Sequence, residues 1–228
     1  MRDVKIVALT QPVDQEMTVD EFVAYVARVS NPSNQSNTLT ATKLLKYLAK
    51  NKHWSPFEMV NIVMEINTTR DIARQILRHR SFAFQEFSQR YADPTSDLGF
   101  VKREARLQDT KNRQNSIELG VDGWVNDRDL EKVRTWEVMQ DLTLNAAKDA
   151  YKWAIDNGIA KEQARAVLPE GLTNSRLYMN GTLRSWIHYC QLRMANGTQK
   201  EHREIATDAW YNITEVFASL KDTLDIGN

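Results

Sequence analysis

Residues 78–91 read RHRSFAFQEFSQRY, and the reading of the chain starts from this stretch. Arg78, His79 and Arg80 close a helix, and an extended run follows in which Glu86, Ser88 and Arg90 occupy every second position. Side chains in a strand alternate faces, so these three are expected to share one. A carboxylate, a hydroxyl and a guanidinium on one face suit a small anionic polar molecule, which makes the stretch half of a nucleotide site.

Working outward, Val60, Ile62, Met64 and Ile66 alternate with polar residues and predict a half-buried strand just upstream. Val4 to Leu9 predicts a first strand, ended by Thr10-Gln11-Pro12. Thr18 and Glu21 form a capping box ahead of Phe22, Val23, Val26 and Ala27, so a helix starts there and stops near Ser30-Asn31-Pro32. Leu44, Leu45 and Leu48 mark a second helix ending near Asn51. Thr68 or Thr69 caps a third, whose buried stripe is Ile72, Ala73, Ile76 and Leu77. Its polar side carries Asp71, Gln75 and Arg78, which by themselves read as a solvated face with an ion pair.

Past Tyr91-Ala92-Asp93-Pro94, Phe100 to Leu107 is expected to form a strand. The polar stretch 108–128, with Gly120 and Gly123, reads as the longest loop. A long helix runs from Asn126 or Asp127 to the stop at Asn157-Gly158, with Ala146, Ala147, Ala150, Trp153 and Ala154 packing on another helix. Lys161 to Leu168 is a short helix closed by Pro169. Leu177 to Met179 predicts a last strand, turned by Asn180-Gly181. Two helices follow: one with an apolar stripe of Leu183, Ile187, Cys190 and Met194, the other burying Ile205, Ala206, Ala209, Ile213, Phe217 and Leu220. The tail Asp225–Asn228 has no pattern. The expected architecture is an α/β (α+β) fold, a mostly antiparallel central sheet flanked by helices, forming a single domain over residues 1–228.

The 228 residues carry 30 Lys plus Arg against 30 Asp plus Glu, so no global field draws the chain to DNA or a membrane. Cys190 is the only cysteine, which excludes an intrachain disulfide. The apolar run near the start is too short for a signal peptide core, so a cytoplasmic protein is expected, in the host cytoplasm if virally encoded.

Arg78-His79-Arg80, seven intervening residues and Ser88, continuing through Gln89, Arg90 and Tyr91, resembles the signature of the flavin-dependent thymidylate synthases. His53-Trp54-Ser55-Pro56-Phe57-Glu58, Arg165 before Leu168-Pro169, and residues 182–193 match the family in its order. The resemblance implies conversion of dUMP to dTMP with FAD, reduced by NADPH, and 5,10-methylenetetrahydrofolate as carbon donor. It implies dUMP contacts at Gln75, Arg78, Glu86, Phe87, Ser88, Gln89, Arg90, Arg165 and Arg193. FAD contacts are implied at Ser55, Arg78, His79, Arg80, Glu86, Thr182, Leu183, Arg184 and His188, with Thr182 departing from the Asn common there. Arg193 is the implied catalytic residue, favouring the ionised uracil ring. A homotetramer with shared active sites is implied too. Geometry agrees on one point: neighbours on a helix diverge by about 100°, so Arg78, His79 and Arg80 serve different ligands or subunits.

Two other classes compete. A nucleic-acid module could use Arg74, Arg78, Arg80 and Arg90 with Phe82, Phe84 and Tyr91, and zero net charge argues against it. A metal hydrolase could gather His53, His79, His188 and His202, but none has His-Glu-x-x-His spacing. A cysteine-dependent thymidylate synthase needs an activated thiol, whereas Cys190 sits on an apolar stripe without a base.

Overall fold

A computed structural model describes residues 3–14, 16–120, 125–221 and 223. Gly123 and the tail Asp225–Asn228 lie outside the described residues. Six strands occur among them: β1 (Asp3–Leu9), β2 (Asn61–Thr69), β3 (Ala83–Glu86), β4 (Arg106–Gln108), β5 (Ser116–Glu118) and β6 (Asn174–Thr182). Four form one antiparallel sheet in the order β1-β2-β6-β3, and β4 with β5 makes a separate hairpin. The alternation in β2 works as expected: Ile62, Met64 and Ile66 are fully buried while Asn61 and Asn67 face outward. Register shifts between Ile6 and Ala8 in β1, an irregularity in an edge strand.

The buried face of the sheet is covered by helices. Those in its core are α1 (Val19–Ala27), α2 (Ala41–Lys50), α3 (Arg70–Ile76), α7 (Leu183–Met194) and α8 (Lys200–Val216), whereas α4 (Pro94–Asp97), α5 (Asp127–Asp156) and α6 (Lys161–Ala164) lie outside it, α5 and α6 sharing a second, small cluster around Tyr151, Ala154 and Ala164. The Thr18–Glu21 capping box is present, with Thr18 N–H donating to Glu21 at 2.8 Å. Leu45, Leu183, Trp186, Ile205, Ile213, Phe217 and Leu220 join the strands in one core. Each such side chain contributes about 1.5–3 kcal/mol on burial. Trp186 also donates its indole N–H to Ile62 O at 3.1 Å, which pins α7 to the central strand. The last helix yields to a short 3₁₀ turn, Ala218–Leu220, that continues its buried stripe.

Four expectations are corrected. Asn180-Gly181 is no turn; β6 runs through it, pairing Asn180 with Val63 and Gly181 with Ile62. A Cβ at position 181 would overlap the Phe82 ring, so glycine serves a close approach here rather than a reversal. The extended run expected through Arg90 stops short: β3 holds only four residues at the sheet edge, and the chain turns at Ser88, whose carbonyl accepts from Tyr91 N and Ala92 N. Glu86, Ser88 and Arg90 therefore do not share a strand face. Phe100 makes a single bridge to Thr173, and the strand expected at 100–107 starts only at Arg106. Finally, Ala147 and Ala154 of α5 are buried, but Ala146, Ala150 and Trp153 are exposed rather than packed on another helix of this chain. The helix itself begins and ends as expected, with Asn126 capping Asp129 N and Gly158 at φ +77° after its last turn.

Candidate active site

The first feature of the site is the turn between α3 and β3. Helix α3 ends at Ile76, and Arg78 N and His79 N donate to the carbonyls of Gln75 and Ile76. This sends Arg78 and Arg80 outward and His79 half inward. Neither Arg78 nor Arg80 forms an ion pair among the described residues. Two exposed guanidiniums thus flank a half-buried imidazole.

His79 meets α7. Arg193 Nε donates to His79 Nε2 at 2.9 Å, and Tyr189 packs edge-on to the imidazole at 4.9 Å. Burial, then Arg193 and then Arg78, hold His79 down at about 4, so the ring is neutral at pH 7. The Nη atoms of Arg193 make no hydrogen bond among the described residues. The guanidinium is held by one nitrogen and offers the rest.

Behind this pair lies a polar network whose connections the sequence did not reveal. His202, fully buried, has Nδ1 3.2 Å from Gln75 Oε1 and Nε2 3.1 Å from Tyr189 Oη. Burial, Arg193 and His79 push His202 down to about 3. Gln75 Nε2 donates to Gln199 Oε1 at 2.8 Å, and Gln199 Nε2 to Glu201 at 3.0 Å. Glu201 in turn receives Arg103 at 3.0 Å and also Arg106. Hydrogen bonding and charge from these arginines bring its carboxyl to about 2 against the opposing cost of burial. Asp71 pairs with Arg103 at 2.7 Å, not with Arg78, so Arg78 faces solvent while Asp71 and Gln75 join this network. Its signal, a Glu-His pair on the face of α8 next to the apolar stripe, is weak without the partners far away in sequence.

The 53–58 loop meets the start of α7. Ser55–Met59 is a 3₁₀ turn, Glu58 pairs with Arg184, and Trp54 packs edge-on to His188 at 5.1 Å. Ser55, Arg184 and His188 are thus brought together. Thr182 Oγ1 caps α7 by accepting from Ser185 N at 3.2 Å. Leu183 is fully buried and its N–H donates to Val60 O, so its side chain belongs to the core.

A third group surrounds the turn after β3. Glu86 accepts from Ser175 Oγ at 2.9 Å and lies 3.5 Å from Arg70 and 3.6 Å from Arg74. The spacing of Arg70 and Arg74, one turn apart on α3, is the signal that could have revealed them. Arg90 pairs with Glu162 at 3.2 Å, and Arg165 Nε donates to the Glu162 carbonyl at 3.3 Å, which brings Ser88, Arg90 and Arg165 to the same end of the sheet. Gln89 is 3% exposed and its Nε2 has no hydrogen-bond partner among the described residues. Phe87 N donates to Arg176 O, prolonging the sheet by one bond.

His53 lies against Tyr47, 6.1 Å between ring centroids, so the four histidines do not assemble into one cluster. Among the described residues no helix is long and apolar enough to cross a membrane.

The family model described as "Thymidylate synthase complementing protein" matches residues 13–218. A probable flavin-dependent thymidylate synthase of Paramecium bursaria Chlorella virus 1 is 45% identical over 97% of this chain and 98% of its own length. A flavin-dependent thymidylate synthase of Synechocystis is 47% identical over 91% of this chain and 92% of its own. The solved structure of a UMP/dUMP methylase, PolB from Streptomyces cacaoi bound with 5-Br dUMP, aligns with TM-score 0.76 at 23% identity. That alignment covers 97% of this chain and 95% of PolB, a likeness of fold.

Proposed function

The chain belongs to the flavin-dependent thymidylate synthases, and on that premise we propose that Arg193 is the group that activates dUMP for methylation to dTMP. The observation that carries this reading is the Arg193–His79 pair. A guanidinium tethered through Nε to a neutral imidazole keeps its full charge and both Nη groups for a ligand. Set against the uracil ring nitrogen and carbonyl, it favours the ionised ring and makes the opposite carbon more nucleophilic. No protein nucleophile is required. Burial holds the Cys190 thiol well above its usual range, far from a reactive thiolate.

FAD, as hydride source reduced by NADPH, supplies the chemistry together with the carbon of 5,10-methylenetetrahydrofolate. The residues present fit it: Arg78 and Arg80 are exposed cations without carboxylate partners among the described residues, suited to a pyrophosphate. Ser55, Thr182, Arg184 and His188 form a second polar group at the start of α7. Ser88, Arg90 and Arg165 suit the dUMP phosphate. Gln75 and the unpartnered amide of Gln89 suit its polar edges, and Glu86, fixed by Arg70 and Arg74, its sugar.

Arg184 and Arg193 stand nine positions apart on α7, about 13 Å along the axis at ~1.5 Å per residue and on opposite sides. That separation supports active sites shared between copies of the chain in a homotetramer. A single buried thiol suits a reducing compartment, the cytoplasm.

The test is the visible absorption spectrum of the purified protein with FAD, followed by NADPH oxidation with and without dUMP. A bound flavin whose reduction quickens with dUMP, with dTMP formed when the folate is added, is the expected result. A protein that takes up no flavin overturns the reading.

A further inference from the structure

Between the β4–β5 hairpin and the connection from α7 to α8 lies a cavity of about 360 Å³. Four of its lining side chains are cationic, Arg106, Arg113, Lys200 and Arg203, against two carboxylates, Asp109 and Glu118. Both carboxylates are engaged. Glu118 receives Lys200 Nζ at 2.6 Å, and Asp109 closes its own turn by accepting Lys111 N at 2.7 Å and Asn112 N at 3.2 Å. Arg113 and Arg203 have no ion pair among the described residues, and Arg106 Nη1 is buried with no hydrogen-bond partner. A buried donor left unmade costs about 1–3 kcal/mol, so Arg106 Nη1 marks a place that an acceptor should fill, with the exposed Arg113 and the half-buried Arg203 beside it to complete a cationic lining.

The cavity adjoins the candidate active site through one side chain. Gln199 lines it, and the same Gln199 accepts from Gln75 at 2.8 Å, while the loop carrying Gln199 follows directly after Arg193. A molecule reacting near Arg193 and ending in an oxyanion can therefore span the two.

We propose that this cavity holds the oxyanionic tail of a co-substrate, an inference that rests on the function proposed above. Planar guanidinium forks take carboxylate and phosphate alike. The tail is either the glutamyl carboxylates of the folate or the 2′-phosphate of NADPH, and the experiment separates them.

The full chain loaded with FAD is compared with its Arg113→Ala, Arg203→Ala and doubly substituted forms. KM is measured for mono- and triglutamylated 5,10-methylenetetrahydrofolate and for NADPH against NADH. The KM of one of these co-substrates is expected to rise about tenfold, the loss of one charge-assisted hydrogen bond, while kcat and the KM for dUMP hold. Loss of the triglutamate preference identifies carboxylate; loss of the NADPH preference identifies phosphate. Both preferences unchanged, or kcat falling with all KM values disturbed together, overturns the proposal. Calorimetry with a γ-linked triglutamate peptide and with adenosine 2′,5′-bisphosphate reads binding without turnover. Wild-type chain that binds a probe but forms no dTMP refutes the proposed function alone, whereas an active chain that binds neither probe refutes the cavity proposal.

Discussion

Arg193 donates to His79 through Nε at 2.9 Å, so the imidazole accepts at Nε2 and carries its proton on Nδ1. A positive imidazolium would repel the guanidinium, and the pair holds only because His79 stays neutral to about pH 4. Replacing Arg193 by Ala is expected to lower kcat by at least about 10²-fold, the usual loss of a preorganised electrostatic donor. Flavin binding should persist, and the His79 titration followed by NMR should move up toward 6.5. Retained turnover in this variant would remove Arg193 from the chemistry.

The half-buried His79 and the buried His202 also govern acid stability. Unfolded histidine titrates near 6.5, whereas His79 stays neutral to about 4 and His202 to about 3. Between those limits the unfolded chain binds more protons, so stability rises with pH and is lost as pH falls below about 6.5. His202→Gln should flatten the slope by up to about 1.4 kcal/mol per pH unit, read from urea midpoints across pH 4–7. An unchanged slope would show that His202 protonates in the folded chain.

Glu201 sits among Arg103, Arg106 and Gln199 at 3% exposure. Glu201→Gln leaves two guanidiniums against a neutral amide and is expected to cost about 3–5 kcal/mol, measured by denaturant unfolding. The wild-type contribution is present above the unfolded carboxyl value near 4.5 and disappears as pH falls toward about 2.

Gly181→Ala places a methyl group against the Phe82 ring, which is itself wedged edge-on to Trp186 at 4.9 Å. A loss of about 1–3 kcal/mol is expected. Adding Phe82→Leu should recover part of it, and thermal unfolding of the two variants checks the pair.

Cys190→Ala should leave catalysis intact and cost about 1 kcal/mol of stability, since the buried thiol only packs. Loss of turnover with the fold preserved would overturn a mechanism without a cysteine nucleophile.

What the sequence could reveal follows from the range of the forces involved. The alternation of β2, the stripe of α8 and the box at Thr18–Glu21 are local, and each appears where the residues place it. The end of β3 is not local. The turn at 88–91 is held by α6, through Arg90 to Glu162 and Lys161 to Tyr91 O at 3.0 Å, side chains some seventy positions away. Asn180-Gly181 has the composition of a hairpin turn, and only the approach of Phe82 explains why it lies inside a strand. Motif resemblance alone named Arg193, Gln75 and the 78–80 triplet. Glu201 was not named, because a buried charge is intelligible only alongside its partners, and Arg106 lies 95 residues away; His202 was named only as a candidate metal ligand.

The two edges of the four-stranded sheet differ from its interior in a way that matters for the molecule's life in a crowded cell. On one side β3 offers only four residues before the chain turns away; on the other, β1 breaks register at Ile6–Ala8 and carries Lys5. An incoming extended segment finds no long, even row of donors and acceptors at either border. The sheet is thereby protected against templated misfolding by pairing of foreign strands at its borders.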